Sequence, residues 1–118
     1  MNAEQFVAGL ARSCRDAAVT DCVKNFENPP GRKPDPGLAE LSRWWSNLPA
    51  PDREFVQRAM LGAAHATLFG VLCVIDGVRT IETAGPKSEF VLTAIRDGAE
   101  SKIAPGEADL HDILRTNP

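Results

Sequence analysis

The residues best suited to chemistry in this 118-residue chain are its two histidines and the acids beside one of them. Asp109 and Asp112 are three positions apart, so on a helix they share a face, and His111 lies between them. Two carboxylates and an imidazole are ligands for a divalent metal. Because adjacent helical positions point in different directions, we expect only part of this set to converge. An acid at a helix start also explains Asp109 without a metal, so no metal is predicted here.

The second histidine, His65, precedes Cys73 by eight residues in a predicted helix. At 1.5 Å per residue the two are about 12 Å apart along the axis, too far for a nucleophile and its base. We predict a partly buried structural role for His65 and a buried, inert thiol at Cys73. The sequence contains none of the motifs Gly-x-Gly, Cys-x-x-Cys, His-Glu-x-x-His or Gly-x-Ser-x-Gly. It therefore predicts a protein that is not an enzyme, with no catalytic residue and no cofactor.

Two adjacent tryptophans are the candidates for binding. Trp45 shares a helical face with Leu38, Leu41 and Leu48, whereas Trp44 falls at the edge of that face. Aromatic residues at a rim are enriched in binding hot spots. The alternative is that Trp44 packs under the proline-rich segment that precedes this helix. The candidate binding residues, with the nearby basic side chains, are Trp44, Trp45, Arg43, Arg53, Arg32 and Lys33.

Apolar residues at helical spacing predict three long helices and a short one. The long helices are expected over Ala3–Asn25, 36–48 and 51–76, and a final short helix is expected around Leu110–Leu114. Four prolines and two glycines within residues 28–37 predict an extended connection between the first two helices.

The helix over 51–76 is apolar nearly all round beyond Ala66, so we expect it to be buried at the centre of the fold. Gly62, Ala66 and Gly70 form a row of small residues that would allow another helix to approach closely. The stretch from Ala59 to Ile75 is short for a membrane span, which needs about 20 apolar residues. The sequence therefore predicts a core helix and no membrane association.

The last third of the chain changes character. Residues 78–83 and 89–95 are rich in β-branched side chains, and Asp97-Gly98 is a type I′ hairpin dipeptide that would pair 90–95 with 100–103. A short helix over 88–95 remains an alternative, because its apolar residues also fit a helical period. We predict an α+β fold, mostly helical, in which three long helices are arranged around the central 51–76 helix, with a small antiparallel β meander of two or three strands.

Composition and cysteine usage limit the class of protein. The apolar fraction is 43% and the charged fraction 25%, both ordinary for a globular protein. The net charge is −3, with no basic run longer than Arg32-Lys33, which disfavours nucleic acid as a partner. Cys14, expected on the core face of its helix, would lie about 12 Å from Cys22, beyond the roughly 7 Å that a disulfide spans. Reduced cysteines and a start without signal-peptide character predict a cytoplasmic protein.

The chain is expected to fold as a single domain over 1–118. In size, acidity and α+β outline it resembles the small bacterial immunity proteins that neutralise toxins. That resemblance implies a non-catalytic, protein-binding module, such as an immunity protein or inhibitor with a toxin as its partner. One alternative is a homodimer that pairs through the Gly62–Gly70 face or through Trp44. Another is a small metal-binding or enzymatic domain that uses His111 and the nearby acids.

Overall fold

The computed structural model describes residues 1–117, and it begins with one continuous helical segment. This segment consists of α1 (Ala3–Leu10), a π-helical segment (Ala11–Asp16) and α2 (Ala17–Glu27). Asn2 starts it with a capping box: its side chain accepts the backbone N–H of Gln5 at 2.8 Å, and the Gln5 side chain accepts the N–H of Asn2 at 3.0 Å. The predicted first helix is confirmed and runs two residues further than expected.

The π-helical segment changes which side chains face the core. Cys14, predicted on the core face, is exposed, so that prediction is wrong. Turns closed by i→i+5 bonds accommodate more residues than α-helical turns, which moves the inner face to Val7, Ala11 and Arg15. The period of 3.6 residues assumed from the sequence does not apply across this segment.

The remaining helices begin and end close to the predicted positions. They are α3 (Pro36–Ser46), α4 (Ala50–Ile75) and α5 (Leu110–Arg115). Asp35 caps α3 by accepting the N–H of Leu38 at 3.1 Å. Gly77, directly after α4, has a φ of +79°, the left-handed conformation expected of glycine beyond a helix end.

An antiparallel hairpin of β1 (Leu92–Arg96) and β2 (Ala99–Ala104) forms the only sheet in the described part of the chain. Asp97 and Gly98 connect the strands with φ values of 50° and 78°, and a type I′ turn requires positive φ at both positions. The predicted hairpin and the α+β class are confirmed, and the alternative helix over 88–95 is wrong.

The third strand considered for the meander does not form. Residues 78–83 are irregular, and Val78 and Ile81 are 59% and 68% exposed. A strand is stabilised by cross-strand pairs and by the burial of one face, and this segment has neither.

The main core lies where α1, the π-helical segment, the end of α4, β2 and α5 meet. Its buried members are Val7, Ala11, Leu72, Ile103, Ala104, Leu110 and Leu114. A smaller packing centre lies between α2 and α3, where Trp45 of α3 is buried beside Phe26 of α2.

The helix α4 contacts the π-helical segment, α2 and α5, but it is not buried as predicted. Its buried residues are Gly70, Leu72 and Cys73, whereas Leu61 and Val71 are 41% and 51% exposed. No helix packs on the row of small residues: Gly62 faces open space, and the Arg79 side chain lies over Gly70. By length and composition alone α4 could cross a membrane, which for a single helix is weak evidence; 17% of its most apolar 18 residues are buried.

Candidate functional site

An apolar groove lies between α4 and the first helical segment. Its volume is about 520 Å³. On α4 the lining residues fall on one face of the helix, since Ala64, Leu68 and Ile75 recur at helical spacing with Thr67, Val71 and Leu72 between them. The first helical segment contributes the opposite wall. We call this surface the α4 groove, and its main apolar lining consists of Phe6, Leu10, Ala64, Leu68, Val71 and Ile75.

The groove is open because the elements that build the core cover only one face of the C-terminal part of α4. Leu72 points into the core and is fully buried, but Val71, one position earlier, is 51% exposed. Cys14 also lines the groove and is exposed. A half-exposed valine beside a wall of leucine and phenylalanine leaves apolar area in contact with water.

Two smaller grooves continue along α4 towards its N-terminus. One, of about 410 Å³, is lined by Arg15, Arg58, Leu61, Gly62 and His65. The other, of about 310 Å³, shares Arg58 and Leu61 and is also lined by two acids, Asp16 and Glu54. This stretch of α4 therefore presents apolar side chains between charges of both signs.

Arg15 joins the π-helical segment to α4 and to the C-terminal residues. It is 6% exposed, and its Nη1 lies 3.2 Å from His65 Nδ1 and donates to the carbonyl of Asn117 at 3.2 Å. Because a guanidinium has no acceptor, His65 Nδ1 accepts this bond. His65 is partly buried, as predicted. Sequence reasoning missed Arg15, although its spacing of four from Ala11 was a signal.

A buried set of hydrogen bonds connects the end of α4 to α5. The Asp76 carboxylate accepts the N–H groups of Leu110 and His111 at 3.0 and 2.9 Å, and its Oδ2 lies 2.6 Å from His111 Nδ1. A carboxylate only accepts, so Nδ1 carries the proton. The Asp76 and His111 side chains are 3% and 10% exposed, and the imidazole meets the Phe69 ring edge-on at 5.6 Å. Asp76, directly after α4, therefore caps the start of α5. The sequence analysis did not predict this contact.

The acids beside His111 come closer together than predicted. Ligand atoms of Asp109, His111 and Asp112 all lie within 4.8 Å of one another. Asp109 is the residue before α5 and is extended, with φ −71° and ψ 142°, so its direction is not fixed by the helix. The Asp76 carboxylate accepts a hydrogen bond from His111 Nδ1. His111 Nε2 lies 3.5 Å from the carboxylate of Asp112, which also lies 3.6 Å from Arg115. These contacts account for the His111 ring and for Asp112 through partners within the chain, at the start of a short helix.

Two of the predicted binding residues have structural roles. Trp45 is 2% exposed and lies 5.4 Å from the Phe26 ring. Arg53 stacks over Trp45 and donates to the carbonyls of Trp45 and Ser46 at 3.1 and 3.0 Å. These carbonyls belong to the last turn of α3, where a cation is favourable. Arg53 therefore holds α3 against the start of α4.

The other predicted binding residues are exposed but are not brought together into one described pocket. Trp44 is 47% exposed. Arg43 is exposed on α3, and Arg32 and Lys33 are exposed in the connection between α2 and α3. Trp44 lies on α3, away from the α4 groove. Sequence reasoning missed the groove because it assigned the apolar residues of α4 to the core.

Comparison with known protein families, with curated proteins and with solved structures found no match.

Proposed function

We propose that this chain is a non-catalytic protein-binding module that docks the apolar surface of another folded protein chain in the α4 groove. The observation that carries the proposal is the exposure of α4. Its most apolar 18 residues are 17% buried, although a helix that is apolar nearly all round is normally covered.

Exposed apolar area of this kind favours association. Burial of a valine or leucine side chain contributes about 1.5–3 kcal/mol. Val71, one of the six groove residues named above, is 51% exposed, and Leu61, which lines the two adjoining grooves, is 41% exposed. Continuous apolar patches on soluble proteins mark interaction sites more often than they mark inert surface.

A protein fits this surface better than a lipid bilayer does. A spanning segment needs about 20 apolar residues, whereas α4 carries Arg58 in its third turn and His65 near its middle. The buried Arg15 and the acid Asp16 pack beside that middle region. Charged groups at membrane depth are costly, so this side of α4 is suited to a partner that leaves the charged rim in water.

The cysteines support a cytoplasmic location for the proposed module. Cys14 and Cys22 are exposed and free, and Cys73 is buried and free. Exposed thiols persist where the compartment keeps them reduced. With a net charge of −3, nucleic acid is disfavoured as the partner.

The proposal is tested by capture on immobilised protein. Three baits are immobilised separately: the unchanged chain, Val71→Glu and Ile95→Glu. Ile95 is 68% exposed on β1 and outside the groove, so it is the matched control. The baits are offered a lysate of the source cells, an untagged copy of the chain, and zwitterionic or anionic vesicles.

Protein retained by the unchanged chain and by Ile95→Glu, but lost with Val71→Glu, is the expected result. A buried glutamate in an apolar contact costs several kcal/mol, so the loss should be nearly complete. Equal capture by Val71→Glu, no capture by any bait, or groove-dependent binding to vesicles alone overturns the proposal.

Inhibition of another protein, such as a toxin, is the alternative use of an exposed surface, and Trp44 is the observation that favours it. A half-exposed tryptophan is a typical hot-spot residue. If Trp44 contributes in this way, Trp44→Ala lowers partner affinity by about 2 kcal/mol. The same capture experiment separates this surface from the α4 groove.

A further inference from the structure

We infer that the occupant of the α4 groove is a second copy of this chain, bound in a two-fold symmetric homodimer. This inference rests on the proposed function, because it names the partner of the same groove. Three observations carry it: the surface area of the chain, the shape of the groove with its rim, and the mixed charge along α4.

The chain exposes more surface than a monomer of its mass. Its accessible area is 8259 Å², whereas a compact monomer of this mass exposes roughly 6,200 Å². Its radius of gyration is 18.2 Å, against roughly 13.5 Å for a compact domain of this length.

The excess has the size that a stable dimer needs. Roughly 2,000 Å² per chain, or roughly 4,000 Å² for two chains, lies in the range of about 2,000–5,000 Å² that obligate homodimers bury. A weak or transient contact buries much less, below about 1,200 Å².

The groove and its rim are suited to contact with a copy of themselves. A two-fold interface uses the same patch on both chains, so it needs a protruding group and a recess within one patch. Val71 is half exposed at the rim, and the groove of about 520 Å³ lies beside it. Val71 of one chain can therefore occupy the groove of the other while its own groove is filled in return.

The charges along α4 are also self-complementary. The grooves that continue from the α4 groove carry Arg58 together with the acids Asp16 and Glu54. A partner selected for a basic or acidic surface would meet like charge on this stretch. A second copy carries the same two signs, so a surface of mixed charge is compatible with its own copy.

Sedimentation equilibrium of the full chain is the first test. The expected mass is twice 12.7 kDa, and Val71→Glu should weaken dimerisation by at least about a hundredfold because it places a charge in an apolar contact. Ile95→Glu should leave the dimer unchanged. Circular dichroism checks that both variants retain the helical content of the unchanged chain.

Two native cysteines provide a second measurement without mutation. Cys14 lines the α4 groove, whereas Cys22, also exposed, does not line it. In the dimer, alkylation of Cys14 should slow as the protein concentration rises, and alkylation of Cys22 should keep its rate. In Val71→Glu both thiols should react at rates independent of concentration.

The outcomes separate this inference from the proposed function. A monomer at high micromolar concentration overturns the dimer, and if Val71→Glu still abolishes capture of a lysate protein, the protein-binding function stands. A dimer that survives Val71→Glu and leaves Cys14 reactive uses another surface, and this also overturns the inference. Loss of the dimer in Val71→Glu, together with slower alkylation of Cys14 in the unchanged chain at high concentration, supports both the dimer and the protein-binding function.

Discussion

The two halves of α4 differ both in composition and in environment: Asp52, Arg53, Glu54 and Arg58 lie in the N-terminal half, whereas residues 63–75 contain no Asp, Glu, Lys or Arg. Near its C-terminus, Leu72 and Cys73 are 0% and 5% exposed in the core formed with α1, β2 and α5. Towards its N-terminus, Phe55 and Leu61 are 64% and 41% exposed. The difference lies in the neighbours: α1, β2 and α5 cover one face of the C-terminal half, whereas Val71 on its other face and Leu61 in the N-terminal half remain about half exposed.

This comparison shows that apolar composition predicts a need for cover but not its source. At one end, Asp76 and His111 lock α5 onto α4 through buried hydrogen bonds. At the other end, Trp45 and Arg53 fix α3 to the first turn of α4 and leave its middle open. The partner is placed on the face of residues 64–75 that these contacts leave uncovered.

Truncation of a leucine in each half should give the largest contrast. Leu72→Ala removes a fully buried side chain, and we expect a loss of about 2–5 kcal/mol in the free energy of unfolding. Leu61→Ala should cost less than about 1 kcal/mol in dilute protein, because its side chain is 41% exposed. Urea unfolding followed by circular dichroism measures both values. Equal losses would show that the two halves are covered alike.

Replacement of Asp76 should have the next largest effect, and it sharpens the account of the covered end. Asp76→Asn exchanges a buried carboxylate with three donors for an amide that cannot accept from all three, at a cost of about 2–4 kcal/mol. Amide hydrogen exchange should report loss of protection in α5. Asp109→Asn is the control, since Asp109 makes no side-chain cap to this helix. Unchanged amide protection of α5 in Asp76→Asn would show that Asp76 does not hold α5 on α4.

The smallest effect is expected in the exposed segment that follows α4. The backbone N–H of Ser88 donates to Glu82 at 2.6 Å, and its hydroxyl donates at 2.8 Å. These bonds lower the pKa of Glu82 below its usual value of 4.5, with the backbone bond as the larger cause. Because the folded pKa is lowered, the stabilisation is present above pH 4.5 and is lost as the pH falls through the folded pKa.

Exchange of the Ser88 amide proton measures this local effect. It should become faster at acidic pH in the unchanged chain, relative to the intrinsic rate, and Glu82→Gln should remove that dependence. Glu89→Gln, at a nearby exposed position, is the control and should leave it in place. A dependence that persists in Glu82→Gln would assign the titration to another group.

Local sequence signals predicted the elements that depend on local energetics. Asp35 before Pro36 marks the start of α3, and Asp97-Gly98 marks the hairpin turn, because caps and positive φ values depend on the residues at those positions. The π-helical segment was not predictable in this way. Arg15 faces inward there because its guanidinium reaches His65 and Asn117, fifty and more than a hundred residues away in sequence.

The candidate site was less predictable than the elements. Trp45 and Arg53 were identified as binding residues but pack together inside the fold, whereas Trp44 remains exposed. The α4 groove was missed because helical periodicity tells which residues share a face and not whether another element covers that face. The convergence of Asp109 with His111 was missed because Asp109 lies outside the helix.

The sequence by itself determined where helices and the hairpin begin and end, since capping, proline and positive-φ positions act over a few residues. It also determined that α4 is apolar over most of its length. Tertiary structure alone decided which part of α4 is buried, which carboxylate caps α5 and which face of the π-helical segment turns inward. Those outcomes depend on contacts between residues far apart in the chain, whose free energy is realised only when the elements have packed.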